Sequence, residues 1–107
     1  MTNAEKLTNI KLLLGIADDS TDDKLNAYLT LSEQEIIQYL YSFVGIPENA
    51  TVPPEYEITQ IQSIIVACTV EGAEGEDRHH ENGIIRVFKY EDMVAYIRSH
   101  VFPYVGV

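Results

Sequence analysis

Three groups of residues in this chain have the types and spacing to do chemistry. The first is Asp18-Asp19-x-x-Asp22-Asp23, a dense run of carboxylates of the kind that binds calcium. A calcium loop of the EF-hand type needs ligands at alternate positions, a glycine at the sixth and an acid at the twelfth. Counted from Asp18 or Asp19, the twelfth residue is Leu29 or Thr30. Counted from Asp22 it is Glu33, but Lys24 then occupies a ligand position and Ala27 the sixth. The pattern fails in each register, so these acids are expected to serve a helix N-terminus, where carboxylates meet the positive end of the dipole.

The second group is His79, His80, Glu81 and His100, with Glu76 and Asp77 nearby, the plausible donors for a transition metal. Adjacent histidines point apart, and no His-x-x-x-His or Glu-x-x-His spacing places two donors on one helix face. A solvated loop is the expectation. With no closed ligand set, EDTA is expected to leave thermal stability unchanged. A melting temperature falling by more than about 10 °C on chelation would refute this, because structural metals contribute several kcal/mol. The third is Cys68, a single cysteine that cannot form an internal disulfide. It lies on an apolar stripe with no basic residue within nine positions, so a buried thiol is expected rather than an activated nucleophile. The glycines at 72, 75 and 83 match neither a phosphate-binding loop nor a dinucleotide fingerprint, and no Gly-x-Ser-x-Gly elbow is present. Nothing here supports catalysis, and no cofactor is expected.

The elements that must position these residues follow from periodicity. Leu7, Ile10, Leu13 and Leu14 mark a short amphipathic helix over 3–14, with Gly15 as its C-terminal stop. Ser20 or Thr21 offers an N-cap to a long helix running from about Thr21 to Val44, roughly 35 Å at 1.5 Å per residue. Its stripe is Leu25, Tyr28, Leu29, Ile36, Tyr39, Leu40 and Phe43, and Gly45 ends it. Pro47, Pro53 and Pro54 enforce an extended connection, with Pro54 suited to the first turn of a third helix. That helix buries Ile58, Ile61, Ile64, Ile65 and Cys68 and ends near Val70. Residues 71–83 read as a polar loop, Ile84 to Phe88 as a short strand with a turn at Asn82-Gly83, and Tyr90 to about Val101 as a last helix with Met93, Val94 and Ile97 inward. The expected fold is all-α, a single domain over 1–107: three main helices, one of them long, a short C-terminal helix and a minor β-hairpin near 76–88.

Charge excludes some partners. The chain of 107 residues has 17 acids against 7 bases, a net charge of −10, and residues 25–77 hold no Lys or Arg and nine acids. Duplex binding rests on clustered bases that neutralise phosphates, and this distribution repels them. Binding to duplex DNA at physiological salt is therefore expected to be negligible. A salt-sensitive, micromolar anisotropy titration would overturn that. An anionic membrane is disfavoured for the same reason. No apolar run approaches the roughly 18 residues of a membrane span, and the first residues lack the apolar stretch of a signal peptide. Asn49-Ala50-Thr51 is then expected to be an ordinary loop despite fitting the glycosylation pattern. By contrast, seven tyrosines and the apolar ending Val101-Phe102-Pro103-Tyr104-Val105-Gly106-Val107 suit a protein interface, though such a tail could equally cap its own core.

The order of these features resembles a known family. A first helix ends in Leu-Leu-Gly-Ile, Asp18-Asp19-Ser20-Thr21-Asp22-Asp23-Lys24-Leu25 opens the long helix, and the third runs into Val70-Glu71-Gly72-Ala73-Glu74-Gly75-Glu76. Glu81-Asn82-Gly83-Ile84 follows, and the chain closes on Pro103-Tyr104-Val105-Gly106-Val107. This is similar to the head–tail connector proteins of tailed bacteriophages and prophages, also described as head-completion or DNA-packaging proteins. The resemblance implies a non-enzymatic, mostly helical adaptor of the virion neck, made in the bacterial host cytoplasm. It would assemble as a ring of copies, usually dodecameric, dock on the portal protein, extend the DNA channel and meet a head-closure or tail-completion protein. DNA would pass without tight binding. The surfaces implied are the loop residues Gly72, Glu74, Gly75, Glu76, Glu81, Asn82 and Gly83 and the tail residues Phe102, Pro103, Tyr104 and Val105. Two other readings stand beside it: an acidic DNA mimic that occupies the groove of a DNA-binding protein, and a metal-dependent enzyme using the His79-His80 loop.

Overall fold

Helix termini in this chain are written into a few side chains, and the first helix shows this most fully. In the computed structural model, which describes residues 1–71 and 85–105, α1 spans Asn3–Leu14. Its N-terminus is a complete capping box. The Glu5 N–H donates to Thr2 Oγ1 at 3.1 Å and the Thr2 N–H donates to Glu5 Oε1 at 2.7 Å. That backbone hydrogen bond holds the Glu5 carboxyl below its ordinary value. At the other end Gly15 adopts φ 73°, its N–H donates to Leu12 O and the Ile16 N–H to Lys11 O at 2.8 Å. This is a Schellman stop, and the left-handed backbone is what calls for glycine.

The second helix, α2, spans Asp22–Leu40, four residues short of the expected end. Ser42 Oγ donates to Tyr39 O at 2.9 Å, and the Val44 and Gly45 N–H groups both turn back to Tyr41 O. These local bonds replace the helical ladder, and Gly45, at φ 88°, closes the turn. At its start Thr21 occupies the N-cap position, but its hydroxyl makes no capping bond and is buried without a partner. The first turn is served instead by Asp22 and Asp23, with Asp22 Oδ1 2.8 Å from Lys11 Nζ.

Pro54 opens a 3-10 turn, Pro54–Tyr56, that leads into α3, Glu57–Ala67. The helix ends before Cys68, earlier than its apolar run suggested. Cys68–Glu71 forms strand β1 instead, antiparallel to β2, Ile85–Phe88, with Cys68 opposite Phe88 and Thr69 opposite Val87. Thr69 and Val70 are β-branched residue types that favour extended backbone, and the pairing captures the segment. The Lys89 N–H then takes Ala67 O at 2.9 Å, which ties the start of α4, Tyr90–His100, to the end of α3. The strand expected over 84–88 is observed over Ile85–Phe88, while its partner lies at 68–71 rather than within 76–88. The expected turn at Asn82-Gly83 lies outside the described residues.

α3 packs against α1, α2 and α4 and carries the centre of the core. Ile10, Leu25, Leu29, Ile36, Leu40, Ile61, Ile64, Met93, Ile97 and Val101 are its principal apolar members. Buried polar residues sit among them, with Gln60 at their centre. Gln60 is fully buried; it accepts from Lys6 Nζ at 2.6 Å and donates through Nε2 to Leu29 O at 3.1 Å and Ser32 Oγ at 3.0 Å. A single amide thus joins α1, α3 and α2. Buried polar groups that are satisfied in this way set one packing register over others.

Candidate functional site

The sequence points to two surfaces, and the structure describes one of them. Gly72, Glu74, Gly75, Glu76, Glu81, Asn82 and Gly83 lie outside the described residues, as do His79 and His80. The tail is divided in its roles. Val101, 2% exposed, completes the core, and the backbone beyond it is tied down: the Phe102 N–H donates to the Tyr56 hydroxyl at 3.2 Å and the Tyr104 N–H to Leu40 O at 2.8 Å. The Tyr104 ring meets Tyr41 edge-on at 5.2 Å, and partial burial raises its phenol above the ordinary value, with Tyr41, Glu55 and Tyr56 adding to the effect. Phe102 and Val105 remain 73% exposed. So the first tail residue caps the core, and two later ones project apolar side chains from an anchored backbone.

Anchoring the tail at Leu40 and Tyr41 places it beside the residues that follow α2. Phe43, Val44 and Ile46 are exposed there. Phe43 was expected on the buried stripe, but α2 stops before it and the turn swings its ring outward. One end of the molecule consequently presents Phe43, Ile46, Phe102 and Val105 to solvent.

A second apolar surface was not expected. Leu13 and Ile58, both read as inward-facing, are exposed, together with Leu12. They flank a cavity of about 300 Å³ between α1 and α3, lined also by Asn9, Ile61 and Gln62. Every one of these residues is uncharged, in a chain where 22% are charged. Depletion of charge around exposed aliphatic side chains marks the centre of protein interfaces. A Tyr96 hydroxyl donating to Gln62 Oε1 at 2.6 Å holds the far edge of this face in place.

Among the described residues, those considered for chemistry are dispersed. His100 stacks on Tyr96 at 3.9 Å, and its Nδ1 lies 2.9 Å from both Tyr96 O and Ser99 Oγ. No group of three His, Cys, Asp or Glu side chains converges among the described residues. Asp18 accepts from the Ser20 hydroxyl at 2.8 Å and the Ser20 N–H at 3.2 Å, bonds that hold its carboxyl low, while Asp22 turns to Lys11. Cys68 is half-buried on β1 rather than on a helix, and burial raises its thiol. The sheet brings Arg86 close enough to oppose that shift, a neighbour that sequence distance concealed. Arg86 itself donates to Leu14 O at 3.2 Å.

No helix among the described residues is long and apolar enough to cross a membrane. Comparison with known proteins adds one finding. A family model described as phage gp6-like head-tail connector protein matches residues 4–100, all four helices and both strands, and stops just before the tail. Neither a search of curated proteins nor one of solved structures finds a match. With nearly its whole length matched, the chain belongs to the phage gp6-like head-tail connector family.

Proposed function

We propose that this connector is a structural adaptor of the virion neck: it assembles as a ring, docks on the portal, lengthens the DNA channel and offers its other side to a head-closure or tail-completion protein. The family match over residues 4–100 carries this reading. The two uncharged apolar surfaces support it, because a ring subunit needs two different patches, one for each neighbour. The acidic composition fits a channel that passes DNA, since like charge prevents phosphate contacts from forming. The DNA-mimic alternative calls for a stripe of carboxylates along the long helix. Beyond Asp23 and Lys24 in the first turn, the exposed face of α2 carries Asn26, Ala27, Thr30, Gln34 and Gln38, and both Glu33 and Glu35 are half-buried. Imaging of the purified protein mixed with cognate portal rings tests the proposal. A second ring of density, coaxial with the portal, is the expected result. Portal rings that remain bare, or a stoichiometric complex with a DNA-binding protein instead, would overturn it.

A further inference from the structure

We infer that the groove between α1 and α3, at Leu12, Leu13 and Ile58, is the seat for the apolar tail end of a neighbouring copy of this chain. The inference rests on the ring-forming reading above and deepens it by naming which surface meets which. Four observations carry it.

First, the tail cannot fill the groove of its own chain, because the Tyr104 N–H and ring fasten it to Leu40 and Tyr41 at the C-terminal end of α2. Second, the two surfaces are of matching scale. Leu12, Leu13, Ile58 and Val66 leave roughly 400 Å² in water, the size of the largest patch on an ordinary monomer, and Phe43, Ile46, Phe102 and Val105 leave somewhat more. Joining them would bury at most about 1,000 Å², the lower bound for a specific interface.

Third, the charges agree. Two copies at −10 each repel, so contact is least costly where neither face carries a carboxylate. The groove-lining residues and Phe102-Pro103-Tyr104-Val105 carry none themselves, and Glu55 is the carboxylate that acts on Tyr104 from beside the tail. Fourth, the shapes agree: a cavity of about 300 Å³, lined by Leu12, Leu13, Ile58 and Ile61 with Asn9 and Gln62, has room for an apolar side chain such as the exposed Phe102 ring on its anchored segment. A rigid anchor in a preformed pocket binds at low entropic cost. The pairing is heterologous, tail to groove, so it propagates around a ring rather than closing a dimer.

Mixed-chain cross-linking tests this. One chain carries Leu13→Cys and another Val105→Cys, each in a Cys68→Ser background, and both are oxidised with copper phenanthroline, free and on portal rings. Both positions are exposed, and circular dichroism checks that each variant folds. The expected result is a disulfide between the two different chains, with little cross-linking of either variant alone. Equal or greater cross-linking of Leu13→Cys to itself would indicate a symmetric contact and overturn the inference, as would no mixed product. In parallel, Leu12→Ser with Ile58→Ser is expected to weaken self-association measured by sedimentation by ~10-fold or more. Unchanged association would also overturn it. Portal binding is scored in the same samples. Portal rings decorated without mixed cross-links leave the connector function standing and remove this interface. Mixed cross-links on a protein that ignores the portal do the reverse.

Discussion

Replacing Gln60 with leucine is expected to lower the melting temperature by on the order of 15 °C, although leucine is apolar and close in size. Lys6 is only 4% exposed, and its ammonium donates to Gln60 Oε1 at 2.6 Å. Leucine would leave that charge in the interior without this acceptor, and would also remove the donor that Ser32 Oγ and Leu29 O receive. A hydrogen bond to a charged group contributes about 1.5–3 kcal/mol, and a buried charge stripped of its partner costs more than the bond itself. For a domain of this size each kcal/mol moves the transition by about 4–8 °C. The reciprocal variant separates the causes. Adding Lys6→Met to Gln60→Leu removes the orphaned charge and should recover most of the loss, because an apolar pair can replace a buried polar one. Calorimetry of the two variants decides it. A Gln60→Leu protein as stable as the parent would mean that Lys6 reaches water and that the network contributes little.

Deleting Pro103 to Val107 is expected to abolish assembly while sparing the fold. Val101, the one tail residue in the core, stays, as does the Phe102 N–H bond to Tyr56. The deletion removes the Tyr104 N–H bond to Leu40 O and the edge-on contact with Tyr41, together worth about 1–2 kcal/mol. The truncated protein should therefore keep its helical circular dichroism spectrum and melt about 5–15 °C lower. Its joining to portal rings should fall to background, because Val105 and the segment that holds it are gone. A truncated protein that is both as stable as the parent and fully competent in assembly would refute this reading of the tail. One that fails to fold would show the tail to be a core element beyond Val101.

The local signals of this chain were reliable where a residue acts on its own backbone. Gly15 stops α1 and Pro54 opens a turn, because a left-handed φ and a missing N–H are properties of those residues wherever they stand. The apolar run at 84–88 and the Met93–Ile97 stripe were equally plain, and the overall class, helices with a small hairpin, followed from periodicity.

Tertiary structure alone decided what covers each apolar face. A stripe shows that a helix has an apolar side; it does not say whether a neighbour is there to bury it. α1 and α3 bury Ile10, Ile61 and Ile64 against the core, but among the described residues no element reaches over Leu12, Leu13 and Ile58. The same limit governs the polar positions. Nothing in the spacing of Lys6, Ser32 and Gln60 distinguishes them from surface residues, and only the convergence of three helices turns them into an internal network. Cys68 passed from helix to strand because a partner strand was available to satisfy its backbone, a choice made by a segment seventeen or more residues away. Sequence determined which backbone each residue prefers and that the chain is acidic and mostly helical. Which side chains face water was decided by long-range packing, since burial depends on the neighbours that arrive, not on the residue that is covered.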